Sequence, residues 1–217
     1  MATPYRQVRL VSPQSTQDEA LQRLDDVPVV VIAEKQEAGR GRTGSDWWNA
    51  PRGLAASVAF RKQSADLRPV SLIAGVAAVR ALPELSLKWP NDLMHSDLKV
   101  GGILVEIHDD AVVTGLGMNL WWPDAPEGAA ALYETDPGPE RHAEIGALWA
   151  AEFLRLVGQP GWPRDEYRKH CVTLGWMITW EPEGRGRAID VAPDGGLVVD
   201  TDGGVETLYA GRVRHIR

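Results

Sequence analysis

Three short segments of the 217-residue chain combine glycines with cationic or amide side chains at spacings suited to holding an anion. The first is Gly39-Arg40-Gly41-Arg42-Thr43-Gly44. Its glycines let backbone approach a ligand closely, and its two guanidiniums present planar forks that match phosphate or carboxylate oxygens. The second is Leu87-Lys88-Trp89-Pro90-Asn91-Asp92, followed by Lys99 and the pair Gly101-Gly102. The third is Gly115-Leu116-Gly117-Met118-Asn119. Glycines at a strand end allow a ligand to lie against backbone, and the Asn119 amide suits a phosphate or a magnesium-bound water.

Each segment also has a plain structural reading. An isolated arginine in a loop usually faces water, but two arginines interleaved with three glycines favour an anion clamp. Lys88, alternating with Leu87 and Trp89, reads alone as an edge lysine facing solvent. Gly115 and Gly117 suit a β-bulge equally well. The first segment formally matches the dinucleotide pattern G-x-G-x-x-G, but Ser45-Asp46-Trp47-Trp48-Asn49-Ala50-Pro51 follows it and cannot open a long helix. Without a helix N-terminus to receive a pyrophosphate, a Rossmann site is disfavoured.

The elements that must position these segments follow from periodicity. Ser15 caps a helix over about 16–25, with Asp18 completing the capping arrangement and Ala20, Leu21 and Leu24 on one face. Val27 to Ala33 is a β-branched run expected to be a strand buried on both faces. Residues 35–53 form a long loop of the kind that is usually functional. Leu54 to Phe60 is the next strand. Asp66 then caps a helix with Pro69 in its first turn and Leu72, Ile73, Val76, Ala78, Val79 and Leu82 as its buried stripe. Leu85 to Leu120 reads as an antiparallel meander. A Pro/Gly-rich loop from Trp122 to Pro139 leads into an amphipathic helix over Glu140 to Val157, with Ile145, Leu148, Trp149 and Leu156 inward. Trp121, Trp122 and Trp149 suit either adenine stacking or the core, and each taken alone favours the core. After Cys171, four or five short strands separated by Glu183-Gly184, Asp194-Gly195-Gly196 and Asp202-Gly203-Gly204 predict a small β-barrel, with a domain boundary near 171.

A formal net charge of -7 disfavours nucleic acid as a partner, so any nucleotide site must be a local basic cluster. One cysteine, a start without a secretory pattern and no apolar run long enough for a bilayer point to a cytoplasmic protein without a membrane span.

Taken together and in this order, the segments closely resemble the biotin protein ligase family. The resemblance rests on Glu34-Lys35-Gln36-Glu37-Ala38 running into the basic loop, Lys88-Trp89-Pro90-Asn91-Asp92, Lys99-Val100-Gly101-Gly102-Ile103-Leu104-Val105-Glu106 and Gly115-Leu116-Gly117-Met118-Asn119. It implies an α+β fold: a catalytic domain over 1–170 with a mixed sheet flanked by helices, then an SH3-like β domain over 171–217. It also implies activation of biotin by Mg2+ and ATP as biotinyl-5'-AMP, then transfer to a lysine of a biotin carboxyl carrier protein. Where the family has Ser-Thr-Asn at the biotin ureido ring, this chain has Ser15-Thr16-Gln17, departing at Gln17.

Carried over by motif, Gln36, Gly39 and Arg40 would contact biotin and the adenylate, and Arg42 would retain the intermediate. Trp47 would belong to a loop folding over the ligand. Lys99 would sit at the reacting carboxylate and α-phosphate, and Asn119 near the nucleotide phosphates and magnesium. Gly102, Gly115, Leu116 and Gly117 would line the biotin and nucleotide channel. The dozen or so residues before Ser15 are too few for the DNA-binding module of many members. Two rivals stay open: a lipoate or octanoate ligase or transferase, and a biotin-binding protein without catalysis. Monomer and homodimer both remain open as well.

Overall fold

The run Val29-Val30-Val31-Ile32-Ala33 is wholly buried because it lies inside a sheet with a core on each side. Val30 and Ile32 join the larger core, whereas Val29 and Val31 pack with Ala20, Ala59 and Val113 on the opposite face. Side chains alternate along a strand, so one β-branched segment serves both layers. In the computed structural model of the chain, residues 4–42, 47–62, 67–181, 183–209 and 213–215 are described. Thr43, Gly44, Ser45, Asp46 and Asp66 therefore lie outside the described residues, and with them part of the basic loop and the expected Asp66 cap.

The central sheet has seven strands: β1 (Arg6–Arg9), β2 (Val29–Ala33), β3 (Arg52–Arg61), β4 (Ser86–Lys88), β5 (Asp92–His95), β6 (Leu98–His108) and β7 (Ala111–Trp121). Their order is β1-β2-β3-β7-β6-β5-β4, with β1 parallel to β2 and the other pairs antiparallel. The mixed sheet and the meander from 85 to 120 are as the sequence predicts. Lys88 does sit on an edge strand.

Helices α2 (Val70–Ala81) and α3 (Arg141–Val157) cover one face of this sheet, and the short α1 (Thr16–Gln22) covers part of the other. Every core-forming residue of α2 is apolar nearly all round because the helix is enclosed by the sheet, α3 and α4 (Arg164–His170). Trp149 is fully buried, stacks on Phe153 at 5.6 Å between centroids and donates its indole N–H to the Ala74 carbonyl at 3.1 Å. That settles Trp149 as core.

Beyond residue 171 an antiparallel sheet is formed by β8 (Met177–Trp180), β9 (Gly184–Val191), β10 (Leu197–Thr201), β11 (Gly204–Leu208) and β12 (Val213–His215). The three predicted turns all fall between successive strands of it. Its order is β11-β10-β9-β8-β12. The apolar core runs without a break into this sheet through Ile178, Ala188, Val191, Leu197 and Val199. Among the described residues, no helix is long and apolar enough to cross a membrane.

Several expectations are corrected. Helix α1 ends at Gln22 rather than near 25, because Arg23 caps it and the following Asp25-Asp26 turn feeds β2. Leu148 points outward and is 55% exposed, since α3 buries the stripe Ile145, Trp149, Phe153 and Leu156, and Leu148 falls just off it. Strand β1 and helix α4 were not predicted; Arg6-Gln7-Val8-Arg9 has little apolar alternation and pairs only as a parallel edge strand.

Arg80 ties three helices together. It donates to Glu166 of α4 (Nε to Oε1, 2.8 Å) and to Glu152 of α3 at 3.3 Å. The Arg80 hydrogen bonds hold Glu166 below its usual pKa, and Arg155, then Arg80, do the same for Glu152. Carboxylates whose pKa is depressed by folding contribute stability above their unfolded value of 4.5 and lose it as pH falls through the folded value. Arg80→Ala should therefore lower urea stability at pH 7 by about 1–2 kcal/mol, discounted for partial exposure, with the difference shrinking below roughly pH 4.5.

Candidate functional site

On the sheet face opposite α2 and α3, large side chains are confined to the end beneath α1, apart from Leu104. Further along β3, β6 and β7 the same face carries Ser57, Gly102, Leu104, Gly115, Gly117 and Asn119. The result is a cavity of about 800 Å3 whose floor is the sheet. Its walls are the start of α1, the basic loop, the turn at 89–92 and the loop after β7, with Glu181 and Val213 contributed by the C-terminal sheet.

Each end of the cavity has its own polar network. Ser15 caps α1, its hydroxyl accepting from the Asp18 N–H at 3.4 Å. The Thr16 N–H and hydroxyl both donate to Gln36 Oε1, at 2.7 and 2.9 Å, and the Thr16 and Ser57 hydroxyls meet at 2.8 Å. Asn49 closes the stem of the basic loop like a paired strand, accepting from Gln36 N–H at 3.1 Å and donating to the Gln36 carbonyl at 2.6 Å. Arg40 makes a two-pronged bond to Asp18 at 2.7 and 2.9 Å and reaches Glu106 at 3.4 Å. The Arg40 guanidinium in turn holds the Asp18 carboxyl below its usual range, and Asp18 raises the pKa of Arg40.

At the other end, Arg42 donates to Asn91 Oδ1 at 3.0 Å, while the Asn91 amide donates to the Ile103 carbonyl at 2.9 Å. Lys99 pairs with Asp92 at 2.5 Å. Asn119 donates to the Ala130 carbonyl at 3.0 Å, pulling the loop after β7 against the cavity. Its side-chain Oδ1 is buried and has no hydrogen-bond partner among the described residues, an acceptor left for something else.

Of the residues singled out in the sequence, Ser15, Thr16, Gln17, Gln36, Arg40, Arg42, Trp47, Lys99, Gly102, Gly115, Leu116, Gly117 and Asn119 all line this one cavity. Gly39 does not; it packs behind the wall against Gln36 and Trp47, where a Cβ would meet atoms of both at 3.0 Å. Gly115 and Gly117 form no bulge, for β7 pairs regularly there with both neighbours. They make room for side chains: a Cβ on Gly115 would lie 2.4 Å from Gln17 Oε1, and one on Gly117 2.9 Å from the Trp47 ring.

Sequence reasoning passed over Ser57, Trp48 and Glu181, which also line the cavity. Nothing local marks Ser57 or Glu181. Trp122, taken as core on its own, is half-buried and faces the cavity, and Trp121 is half-buried. Asn91 and Asp92 were visible within the Lys88–Asp92 segment, but their pairing with Arg42 and Lys99 needed the fold. Trp89, 2% exposed, joins the two sheets: its indole N–H donates to the Gly195 carbonyl and its backbone N–H to the Thr173 hydroxyl, both at 3.0 Å.

The Biotin/lipoate A/B protein ligase family matches residues 8–119, slightly more than half of the chain and most of the cavity lining. The chain belongs to this family. Among curated relatives of this ligase family member, the biotin–(acetyl-CoA-carboxylase) ligase of Mycobacterium tuberculosis is 34% identical over 87% of this chain and 79% of its own length. The enzyme of the same name from Paracoccus denitrificans is 33% identical over 68% of each chain. In fold, the chain resembles the biotin protein ligase from Aquifex aeolicus solved with biotin and ATP: TM-score 0.86 at 24% identity, over 97% of this chain and 99% of the other.

The glycine geometry is testable without a ligand. Gly115→Ala should force Gln17 aside and lower urea stability by about 1–3 kcal/mol. Gly102→Ala should unfold at or slightly above the parent midpoint, because the nearest atom to its Cβ is 3.6 Å away and the substitution reduces the freedom of the unfolded chain.

Proposed function

We propose that the chain is an ATP-dependent biotin protein ligase that forms biotinyl-5'-AMP and transfers biotin to a specific lysine of a carboxyl carrier protein. The observation that carries this reading is the convergence of Arg40, Arg42, Lys99 and Asn119 on one cavity in a chain related to biotin ligases. A binder of biotin alone has no use for three cations and an orphaned amide oxygen at the same site. The cavity volume also lies within the range of small-molecule sites.

In this reading the biotin side of the cavity is Ser15, Thr16, Gln17, Gln36, Gly102, Gly115 and Leu116, with Gly39 supporting Gln36 and Trp47 from behind. The nucleotide side is Arg42, Trp47, Lys99, Gly117 and Asn119, and Arg40 lies between the two. The carboxylate oxygen of biotin attacks the α-phosphorus of ATP, and the bond to the pyrophosphate oxygen breaks. Two anions must meet for this, and Lys99, Arg40 and Arg42 stabilise the charge on the transferring phosphoryl group from fixed positions. Lys99 rests on Asp92 and Arg42 on Asn91, so both cations are held at the cavity wall before substrates arrive.

Asn119 Oδ1 would hold magnesium. Magnesium prefers hard oxygen donors, so the ATP phosphate oxygens would supply the rest of its shell. Bound there, the ion would neutralise phosphate charge. The loop bearing Trp47 would exclude water from the mixed anhydride. In the second step the carrier's neutral lysine nitrogen attacks the acyl carbon, AMP leaves, and the nitrogen sheds its proton.

Residues 1–170 would then be the catalytic domain and 171–217 an SH3-like β domain, working in the cytoplasm. Because the family also includes lipoate ligases, the acid must be tested directly. Pyrophosphate exchange into ATP should require biotin, and exchange driven by lipoate instead would move the chain to that branch. Lys99→Ala should slow biotin-dependent exchange by about 100- to 1000-fold with an unchanged circular dichroism spectrum; near-normal exchange would remove Lys99 from the chemistry.

A further inference from the structure

Among the described residues, Arg40 pairs with two separate carboxylates on two separate elements. Asp18, in the first turn of α1, takes both prongs of the guanidinium, and Glu106, near the end of β6, takes a weaker third bond. Those oxygens occupy the directions in which a guanidinium recognises a bidentate anion. A carboxylate or phosphate ligand that is to be gripped by Arg40 must therefore displace protein carboxylates first.

Glu106 does not stand alone. Its Oε2 also accepts from the Gln17 amide nitrogen, and Gln17 is 6% exposed. The rest of the Gln17 amide lies over Gly115, in space that any larger residue would fill. The longer side chain of glutamine is what spans from α1 across Gly115 to Glu106. An asparagine, one methylene shorter, would leave that carboxylate without its second donor.

We infer that Asp18 and Glu106 are positioning residues that hold the Arg40 guanidinium at the cavity wall until an anionic ligand takes it, with Gln17 orienting Glu106 for this exchange. The pairing keeps a cation fixed in a chain of net charge -7, where an unpaired guanidinium on a glycine-flanked loop would sample many positions. It also sets a threshold: a ligand is gripped by Arg40 only if its own charge outcompetes the resident carboxylates. Neutral analogues gain nothing from displacing them. The inference rests on the biotin reading only for the identity of the anion.

Biotin and its alcohol, in which CH2OH replaces the carboxylate, separate this role from simple packing. Titration calorimetry on the full chain gives both dissociation constants. Their ratio cancels what Gln17 and its neighbours contribute to the rest of the ligand. Asp18→Asn and Glu106→Gln should each tighten biotin by roughly 2- to 5-fold, the worth of an exposed charge pair, and leave the alcohol unchanged. Gln17→Asn should shift the ratio in the same sense in the parent and not at all in the Glu106→Gln background. Glu37→Gln, which removes a nearby exposed carboxylate that does not touch Arg40, should leave the ratio alone.

Equal weakening of biotin and the alcohol in Asp18→Asn and Glu106→Gln would show that the two acids merely brace the fold, and would overturn the inference. Equal tightening by Glu37→Gln would reduce it to general electrostatics, with the same consequence. A parent protein that binds neither compound would overturn the biotin reading alone. Titration of the same variants with Mg-ATP would then decide the Arg40 exchange by the same sign.

Discussion

The cavity exists because one face of a buried sheet carries mostly glycine and other small residues where β6 and β7 run beneath the basic loop. Face to face with α2 and α3, these strands present Val112, Leu116, Met118, Leu120 and Ile103 to the core. On the reverse they present glycines, Leu104 and Asn119. A hydrogen-bonded strand gives a flat floor at no side-chain cost, and the backbone groups stay satisfied by their neighbours in the ladder. The helical side of the sheet supplies the apolar burial that lets the other side remain open.

Rigidity of the floor is matched by restraint of the walls. The loop bearing Arg40 and Arg42 is pinned at its stem by Asn49, at Arg40 by Asp18 and Glu106, and at Arg42 by Asn91. Each cation therefore has a defined partner in the unliganded chain. Exposed pairs of this kind add little to stability. Their effect is on placement: the charges converge on the cavity without repelling one another into solvent.

Trp89 makes the C-terminal sheet part of the same body. Its indole reaches Gly195 and its backbone reaches Thr173, while Arg68 pairs with Asp194 at 2.8 Å and Leu72 packs beneath Gly195. The expected division near 171 follows a change in strand length and turn chemistry, yet the apolar core crosses it. Glu181 and Val213 consequently stand at the cavity as fixed wall residues.

Local chemistry determined much of this from the sequence alone. Periodicity and turn residues placed the meander, the two long helices and the C-terminal strands, and the motifs behind the family resemblance named contact residues that, Gly39 excepted, meet at a single cavity. What the sequence could not decide was facing and partnership. Leu148 lay one step off a buried stripe that only α3 packing defines, and Arg6 to Arg9 became a strand only because β2 offered an edge. Gly115 and Gly117 read as room for a ligand, but what fills that room is Gln17 and Trp47, 98 and 70 residues away in the chain. Pairings such as Arg40 with Asp18 and Glu106, or Lys99 with Asp92, depend on strand register and helix placement, which arise when the whole core closes.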